Sequence, residues 1–343
     1  MSQTAPARTS TQRRKARVRA VSLVVALACL AVTVLAISGG EYNISPWRVV
    51  QILFGGGEGL ETTVVWDWRM PRAFAALLFG AALALSGLVF QSLTRNPLGS
   101  PDIIGLSTGA YTGALVAITV LGGGFMATTL GALAGGLATA IVVYLLAWRD
   151  GTHGFRLILV GIGISSVLSS LNQYMVLRAD LDVAMSAAVW GAGTLNGVSW
   201  AGVIPVSVVV VVAGGLIMLM GRSMQLLQMG DDMANALGMR AERAKLVFIV
   251  LAVMLTSAVT ALIGPVAFVA LVSPQLARRL LGSSGMNLLP TALFGAFLLA
   301  FGDLLAQRLF APIQLPVGVV TVCIGGVYLV YLLNRGTQKI RSK

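Results

Sequence analysis

The sequence predicts an all-α polytopic membrane protein with about ten transmembrane helices. Three observations carry that expectation. Of 343 residues, 57% are hydrophobic and only 10% charged, with a mean hydropathy of +0.88. A soluble domain carries roughly 25% charged residues, so a fold this poor in charge could not present a solvated surface. Positions free of Asp, Glu, Lys and Arg come in long runs: 20–40, 73–94, 103–148, 157–177, 183–221, 246–277, 280–302 and 309–334. A membrane span needs about 20 apolar residues. Both tails are basic. The 40 glycines fit the same class, because small residues let membrane helices approach closely.

The elements follow in order. An arm at 1–19 carries Arg8, Arg13, Arg14, Lys15, Arg17 and Arg19 and no acid. With the apolar segment 20–38 it has the outline of a signal peptide. No clear small-x-small cleavage site leads into a soluble domain and nine more spans follow, so 20–38 is expected to be an uncleaved first helix. Span two is placed at 73–93. The 103–148 run holds two spans, 103–121 and 126–147, divided at Gly122-Gly123-Gly124. Span five is 157–177. The small-residue start of the 183–221 run is expected to be a loop containing Trp190, Gly191 and Gly193, followed by span six at 199–220. The 246–277 run breaks at Gly264-Pro265, giving span seven at 244–263 and a short span eight at 266–280 that ends on Arg278-Arg279. Spans nine and ten are 287–306 and 315–333. The expected organisation is therefore the basic arm 1–19, one transmembrane domain 20–334, and a basic tail 335–343.

Charge sets the orientation. An even span count puts both termini on one side, and the basic arm and tail place that side in the cytoplasm. All Lys and Arg then face inward except Arg48, Arg69, Arg72, Arg178 and Arg308. The net charge of +12 could suggest a nucleic-acid partner. Its partition into alternate loops argues instead for membrane topology.

Several chemistries are disfavoured. The acids fall at predicted span ends or in loops, with Asp303 the nearest to an exception. Ion-coupled transporters need ionisable groups at membrane depth. Lys15, Lys245, Lys339 and Lys343 are the only lysines, and none follows a phosphate-binding Gly-rich turn. The sole histidine, His153, sits in a short inner loop, and Cys29 and Cys323 stand singly in apolar runs. Neither an intramembrane enzyme nor a metal centre has its residues here. Energy must then come from a partner, which draws attention to the longest inner loop, 221–245. Asp231 and Asp232 suit a helix N-terminus, Met233, Ala236 and Leu237 repeat at helical spacing, and Gly238 suits a stop. A short amphipathic helix is expected at 231–237. From periodicity alone it could rest on lipid or dock a cytoplasmic motor.

Four segments carry a resemblance. They are Arg69-Met-Pro-Arg72 continuing through Gly80–Gly87 and Gln91 to Arg95-Asn-Pro-Leu-Gly-Ser-Pro101, Gly105 and Gly109-Ala110; Gly230-Asp-Asp to Gly238; Gly264-Pro-Val-Ala-Phe to Arg279; and Leu315-Pro-Val-Gly-Val-Val-Thr321 with Gly325-Gly326. Together, over about 45–335, they resemble the FecCD-type permeases of ABC importers for iron siderophores and cobalamin. The resemblance implies the cobalamin-permease-like (type II) importer fold, with helices two to five related to helices seven to ten as inverted repeats. No sequence repeat shows this unaided. It implies a non-enzymatic subunit of the bacterial cytoplasmic membrane that binds no cofactor itself, ATP and Mg residing on its partners. Those partners would be a second permease subunit (a paralogue or a second copy), two ATPase subunits and an extracytoplasmic siderophore-binding protein. Gln91–Asp102 and Leu227–Asp232 are nearest to the family's ferric-enterobactin members, implying a catecholate-type ferric siderophore as cargo. The alternatives are cobalamin or haem and, from another class, an ion-coupled secondary transporter.

Residue roles come with the resemblance. Gly230, Asp231, Asp232, Ala234, Leu237 and Gly238 match the family's ATPase-coupling helix. Arg69 and Arg72 match arginines that face acidic residues of the binding protein. The third such position falls on Gln307, which leaves the adjacent Arg308 as the candidate. The inner turn Arg95-Asn96-Pro97 is either a structural turn or an ATPase contact. Helices five and ten line the family's pathway, which singles out Ser165, Ser166 and Asn172 in a span rich in small and polar residues. Gln275 stands where the family usually has histidine.

Overall fold

The computed structural model describes residues 6–40, 42–147, 154–282 and 286–341, with side chains described for 12–40, 42–147, 155–282 and 286–330. Glu41, Arg149, Asp150 and His153 lie outside the described residues. The described chain is helical: α1 Pro6–Ser38, α2 Pro46–Leu53, α3 Leu60–Thr63, a π-helical segment Val64–Arg69 that runs into α4 Met70–Thr94, α5 Leu106–Thr119, α6 Phe125–Ala147, α7 Gly154–Arg178, α8 Leu181–Gly191, α9 Trp200–Leu219, α10 Gly221–Gln228, α11 Asp231–Ala236, α12 Ala241–Ile263, α13 Val269–Leu281, α14 Leu288–Arg308 and α15 Val317–Arg341. Each of the ten expected spans corresponds to one of these helices. The described part of the expected arm and most of the expected tail are helical. Residues 6–19 belong to α1, and α15 continues to Arg341.

Among the described residues, seven helical stretches are long and apolar enough to cross a membrane. α5 and α13 are not among them. At 14 and 13 residues they span about 21 and 20 Å at 1.5 Å per residue, less than the roughly 30 Å hydrocarbon core. Both are preceded by irregular backbone, and both start on a left-handed residue: Gly105 at φ 87° and Phe268 at φ 69°. The expected starts at 103 and 266 therefore move to 106 and 269. Pro97, Pro101 and Pro265 are the cause, since proline removes a helix donor and restricts its predecessor. The length order long, short, long, long recurs in α4–α7 (25, 14, 23 and 25 residues) and in α12–α15 (23, 13, 21 and 25).

α4 and α12 form the core. The most apolar stretches of both are 78% buried, against 22% for those of α1 and α7. Phe79, Leu83, Phe90, Phe248 and Leu255 fill the interior. Small residues set the closest crossings. A Cβ on Gly80 would meet the Gly295 carbonyl oxygen at 2.3 Å, and one on Gly113 would meet the Gly131 carbonyl oxygen at 2.0 Å. The α4–α14 and α5–α6 backbones thus pack at distances only glycine permits.

The structure corrects the expected loop around Trp190 and Gly191. Residues 181–191 form α8, with Ala187 buried and Trp190 stacked on Tyr111 at 5.9 Å. The Leu-Asp-Val-Ala-Met-Ser-Ala-Ala stretch is rich in good helix formers, and the glycines that suggested a loop begin only at its end. α2 was also not foreseen. Ser45 Oγ caps it by accepting from the Arg48 backbone N–H at 3.3 Å, and Pro46 occupies its first turn.

Candidate functional site

The bundle ends differ in chemistry. One carries α10, α11, Arg95 and the Arg278-Arg279 pair; the other carries Arg69, Arg72 and Arg308. At the first end, α11 covers Asp231–Ala236, one residue shorter than expected, with Leu237 closing it. It is bracketed by Gly230 at φ 115° and Gly238 at φ 82°, conformations that residues with a Cβ seldom adopt. α11 is tethered through Asp231. Lys245 Nζ donates to Asp231 Oδ2 at 2.5 Å and to Glu242 Oε1 at 2.9 Å, and Arg95 reaches Asp231 Oδ1 at 3.4 Å. The Lys245 side chain is only 8% exposed. α11 is thereby joined to α12 and to the end of α4. Of the residues singled out in the sequence, Ala234 is buried against the chain itself rather than at the surface, while Asp232, Leu237 and Gly238 are exposed. Leu237 joins Met229 and Met233 in an exposed apolar set.

At the opposite end, Arg72 lies in a buried ion pair. Its Nε and Nη2 hold Asp303 at 2.8–3.2 Å, and Nη1 donates to Gln314 Oε1 at 2.8 Å. Gln307 Nε2 donates to Asp303 Oδ2 at 2.7 Å. Arg69 donates to the carbonyls of Ile37 and Tyr42, both at 2.7 Å, and Arg308 to that of Leu35 at 2.9 Å. Two of the three guanidiniums thus sit on carbonyls at the end of α1, where the helix dipole favours cations. A cavity of about 550 Å³ is lined by Arg69, Arg72, Asp67, Asp303, Gln307 and Gln314. Arg308 is not among its lining residues; Gln307 is.

The three pathway candidates part company. Ser165 Oγ meets Thr108 Oγ1 at 3.0 Å within the α5–α7 contact. Ser166 is exposed and donates back to the Ile162 carbonyl at 2.9 Å. Asn172 is buried, lining a second cavity of about 630 Å³ with Asp102, Thr108 and Tyr111. Asp102 and Asp303 were read in the sequence only as span-end acids. The Ser-Pro-Asp-x-x-Gly turn pattern was the available signal for Asp102, and the charge at 303 at the end of an apolar run was the signal for Asp303. Gln275 Nε2 donates to the Pro97 carbonyl at 2.9 Å, so this side chain joins α13 to the turn after α4.

Residues 27–335 match the FecCD transport family. The chain belongs to that family. As a FecCD member it is a multi-pass permease of the bacterial cytoplasmic membrane, a transport subunit of an ABC importer rather than an enzyme, with ATP bound by the partner ATPase. It is 46% identical over 317 residues to the ferric enterobactin transport system permease protein FepG of Escherichia coli K12, covering 92% of this chain and 96% of that relative. It is 32% identical to the iron(3+)-hydroxamate import system permease protein FhuG of Bacillus subtilis 168, covering 92% and 96%. Among solved structures, an inward-facing putative metal-chelate type ABC transporter matches with a TM-score of 0.82 at 25% identity, covering 92% of this chain and 99% of that one. The ten-span FecCD architecture expected from the sequence is the architecture of this fold.

Proposed function

We propose that this FecCD chain carries a ferric siderophore of the catecholate class into the cytoplasm as one half of a permease heterodimer. Two ATPase subunits drive it and an extracytoplasmic siderophore-binding protein delivers the cargo. The carrying observation is the 46% identity to FepG across 92% of the chain. Both termini are cytoplasmic in this reading, as the basic arm and tail require. The α10–α11 end then faces the ATPases and the arginine end faces the receptor.

The division of labour follows from the side chains. Leu237, Met233 and Met229 offer apolar contact to an ATPase groove, and Asp231 passes the motion of α11 to α4 and α12 through Arg95 and Lys245. At the other end, acidic residues of the receptor find Arg69 and Arg72, which line one cavity, and Arg308 close to Arg69, where charge pairs set orientation and association rate. The path lies beside α7, whose exposed face carries Ser166, Ser169, Ser170 and Gln173.

Cargo identity is tested by uptake of radio-iron-loaded enterobactin in cells with and without the chain. Uptake that depends on the chain, with no dependence for cobalamin, is expected; cobalamin uptake that depends on it would overturn the cargo. Leu237→Glu tests the coupling loop. The variant should insert normally yet lose ATPase copurification and transport, and normal values of both would sink the assignment.

A further inference from the structure

We propose that Asp102 and Asn172 form a binding site for one small monovalent cation, a proton or an alkali metal ion, inside the membrane. The site does not depend on which cargo the permease carries. It begins with depth. α13 reaches back only about 20 Å from its Arg278-Arg279 end, so its first residues lie within the hydrocarbon thickness. Asp102 stands four residues before the equally short α5 and lines one cavity with Pro265 and Ala267, which precede α13. Asp102 is therefore on irregular backbone at membrane depth. Such backbone is tolerated only where it is buried in protein or lines a cavity.

The second observation is a pair of orphaned acceptors. Ser107 Oγ donates to Asp102 Oδ1 at 2.9 Å, but Asp102 Oδ2 is shut off from solvent without a partner. Asn172 is only 4% exposed; its Nδ2 faces the Thr108 carbonyl at 3.5 Å, and its Oδ1 is likewise buried and unpartnered. Both side chains line the same cavity of about 630 Å³. Two buried oxygens that can only accept, one of them a carboxylate oxygen, are costly as they stand. A cation held between the two side chains is the occupant assigned to them.

The lining sets the class of ion. Thr108, Tyr111 and Gln173 add hydroxyl and amide groups, and among the described residues no Lys, Arg or His lines the cavity. Facing Asp102, α5 contributes Ser107, Thr108 and Tyr111, α7 contributes Asn172 and Gln173, and the segment before α13 contributes Pro265 and Ala267; Tyr111 is the only other titratable group among them. One carboxylate balances one positive charge. An all-oxygen donor set suits a proton or an alkali ion and not a soft transition metal, and no metal-holding group of His, Cys, Asp and Glu occurs among the described residues. Charge-free spans weigh against an ion-driven pump, and this site does not restore one. It neutralises a carboxyl beside the path.

The test uses the permease assembled with its ATPase in lipid nanodiscs. Infrared difference spectra report a protonated carboxyl, and thermal unfolding in NaCl against choline chloride at alkaline pH reports an alkali ion. The wild type is expected to show the carboxyl band, the sodium-dependent upward shift in Tm, or both, and Asp102→Asn to lose whichever is present. Asn172→Leu keeps the carboxyl, so it serves if Asp102→Asn fails to assemble; it should move the band or abolish the sodium shift. Absence of both signals in the wild type, or the same signals in both variants, would overturn the site.

Discussion

The two ends of this permease hold their charges in opposite ways. At the arginine end, the Arg72 and Asp303 side chains are 14% and 3% exposed and meet through two guanidinium nitrogens. At the coupling end, Arg95 and Asp231 are 55% and 40% exposed and meet at 3.4 Å. Breaking a buried pair leaves an uncompensated charge and costs about 3–5 kcal/mol. An exposed pair is screened by water and is worth about 0–1 kcal/mol. The Arg72–Asp303 contact is therefore electrostatically fixed, and the Arg95–Asp231 contact can rearrange at little cost. Under the proposed function, a loop that follows a moving ATPase uses the second property, and a mouth that presents one shape to a receptor uses the first.

The largest effect expected from this contrast is that of Asp303→Ala. It strands Arg72 beside Gln314 and should lower stability by about 3–5 kcal/mol, read by reversible unfolding in mixed micelles. Adding Arg72→Met should recover most of the loss, because the stranded charge is then gone. A loss no larger than that of an exposed pair would erase the contrast. Lys245→Met is expected to be intermediate, at about 1 kcal/mol. The buried ammonium disappears, but Asp231 and Glu242, 40% and 42% exposed, remain solvated. Its larger consequence should be functional. With α11 held to α12 less firmly, transport per ATP hydrolysed should fall while ATPase copurification persists. Unchanged coupling would remove Lys245 from the transmission route.

The same contrast explains what could be read from the sequence. Spans were legible because bilayer thickness forces charge-free runs, and α6, α9 and α12 fall almost where those runs place them. The short helix α11 was legible because Asp231-Asp232 and Gly238 mark its two ends. Tertiary pairing was not legible. Arg72 and Asp303 are 231 positions apart, and nothing local signals that one neutralises the other. Ala234 has the small side chain expected at a tight interface, yet only packing shows that the tight neighbour is its own chain. α8 was missed because Gly191 and Gly193 coloured the reading of a segment whose preceding residues favour helix. The depth of Asp102 was missed because a charge ending an apolar run looks like a surface residue. The proposed depth rests on the shortness of α5 and α13, which the run itself does not show.

The smallest expected effect is at the exposed pair. A double-mutant cycle with Arg95→Ala and Asp231→Asn should return a coupling energy of at most about 0.5 kcal/mol. Raising the salt concentration should shrink even that, since exposed charges are screened within about 10 Å at 0.1 M. Each single variant also removes something else. Arg95 donates to the Leu227 carbonyl at 3.4 Å, and Asp231 holds Lys245. The cycle subtracts those contributions and leaves the pair alone. A coupling above about 2 kcal/mol would mean that the turn after α4 is locked to α11 as firmly as Arg72 is to Asp303. The coupling end would then have to move as a rigid block with α4, and the contrast between a fixed mouth and a compliant loop would fail at the residue on which it most depends.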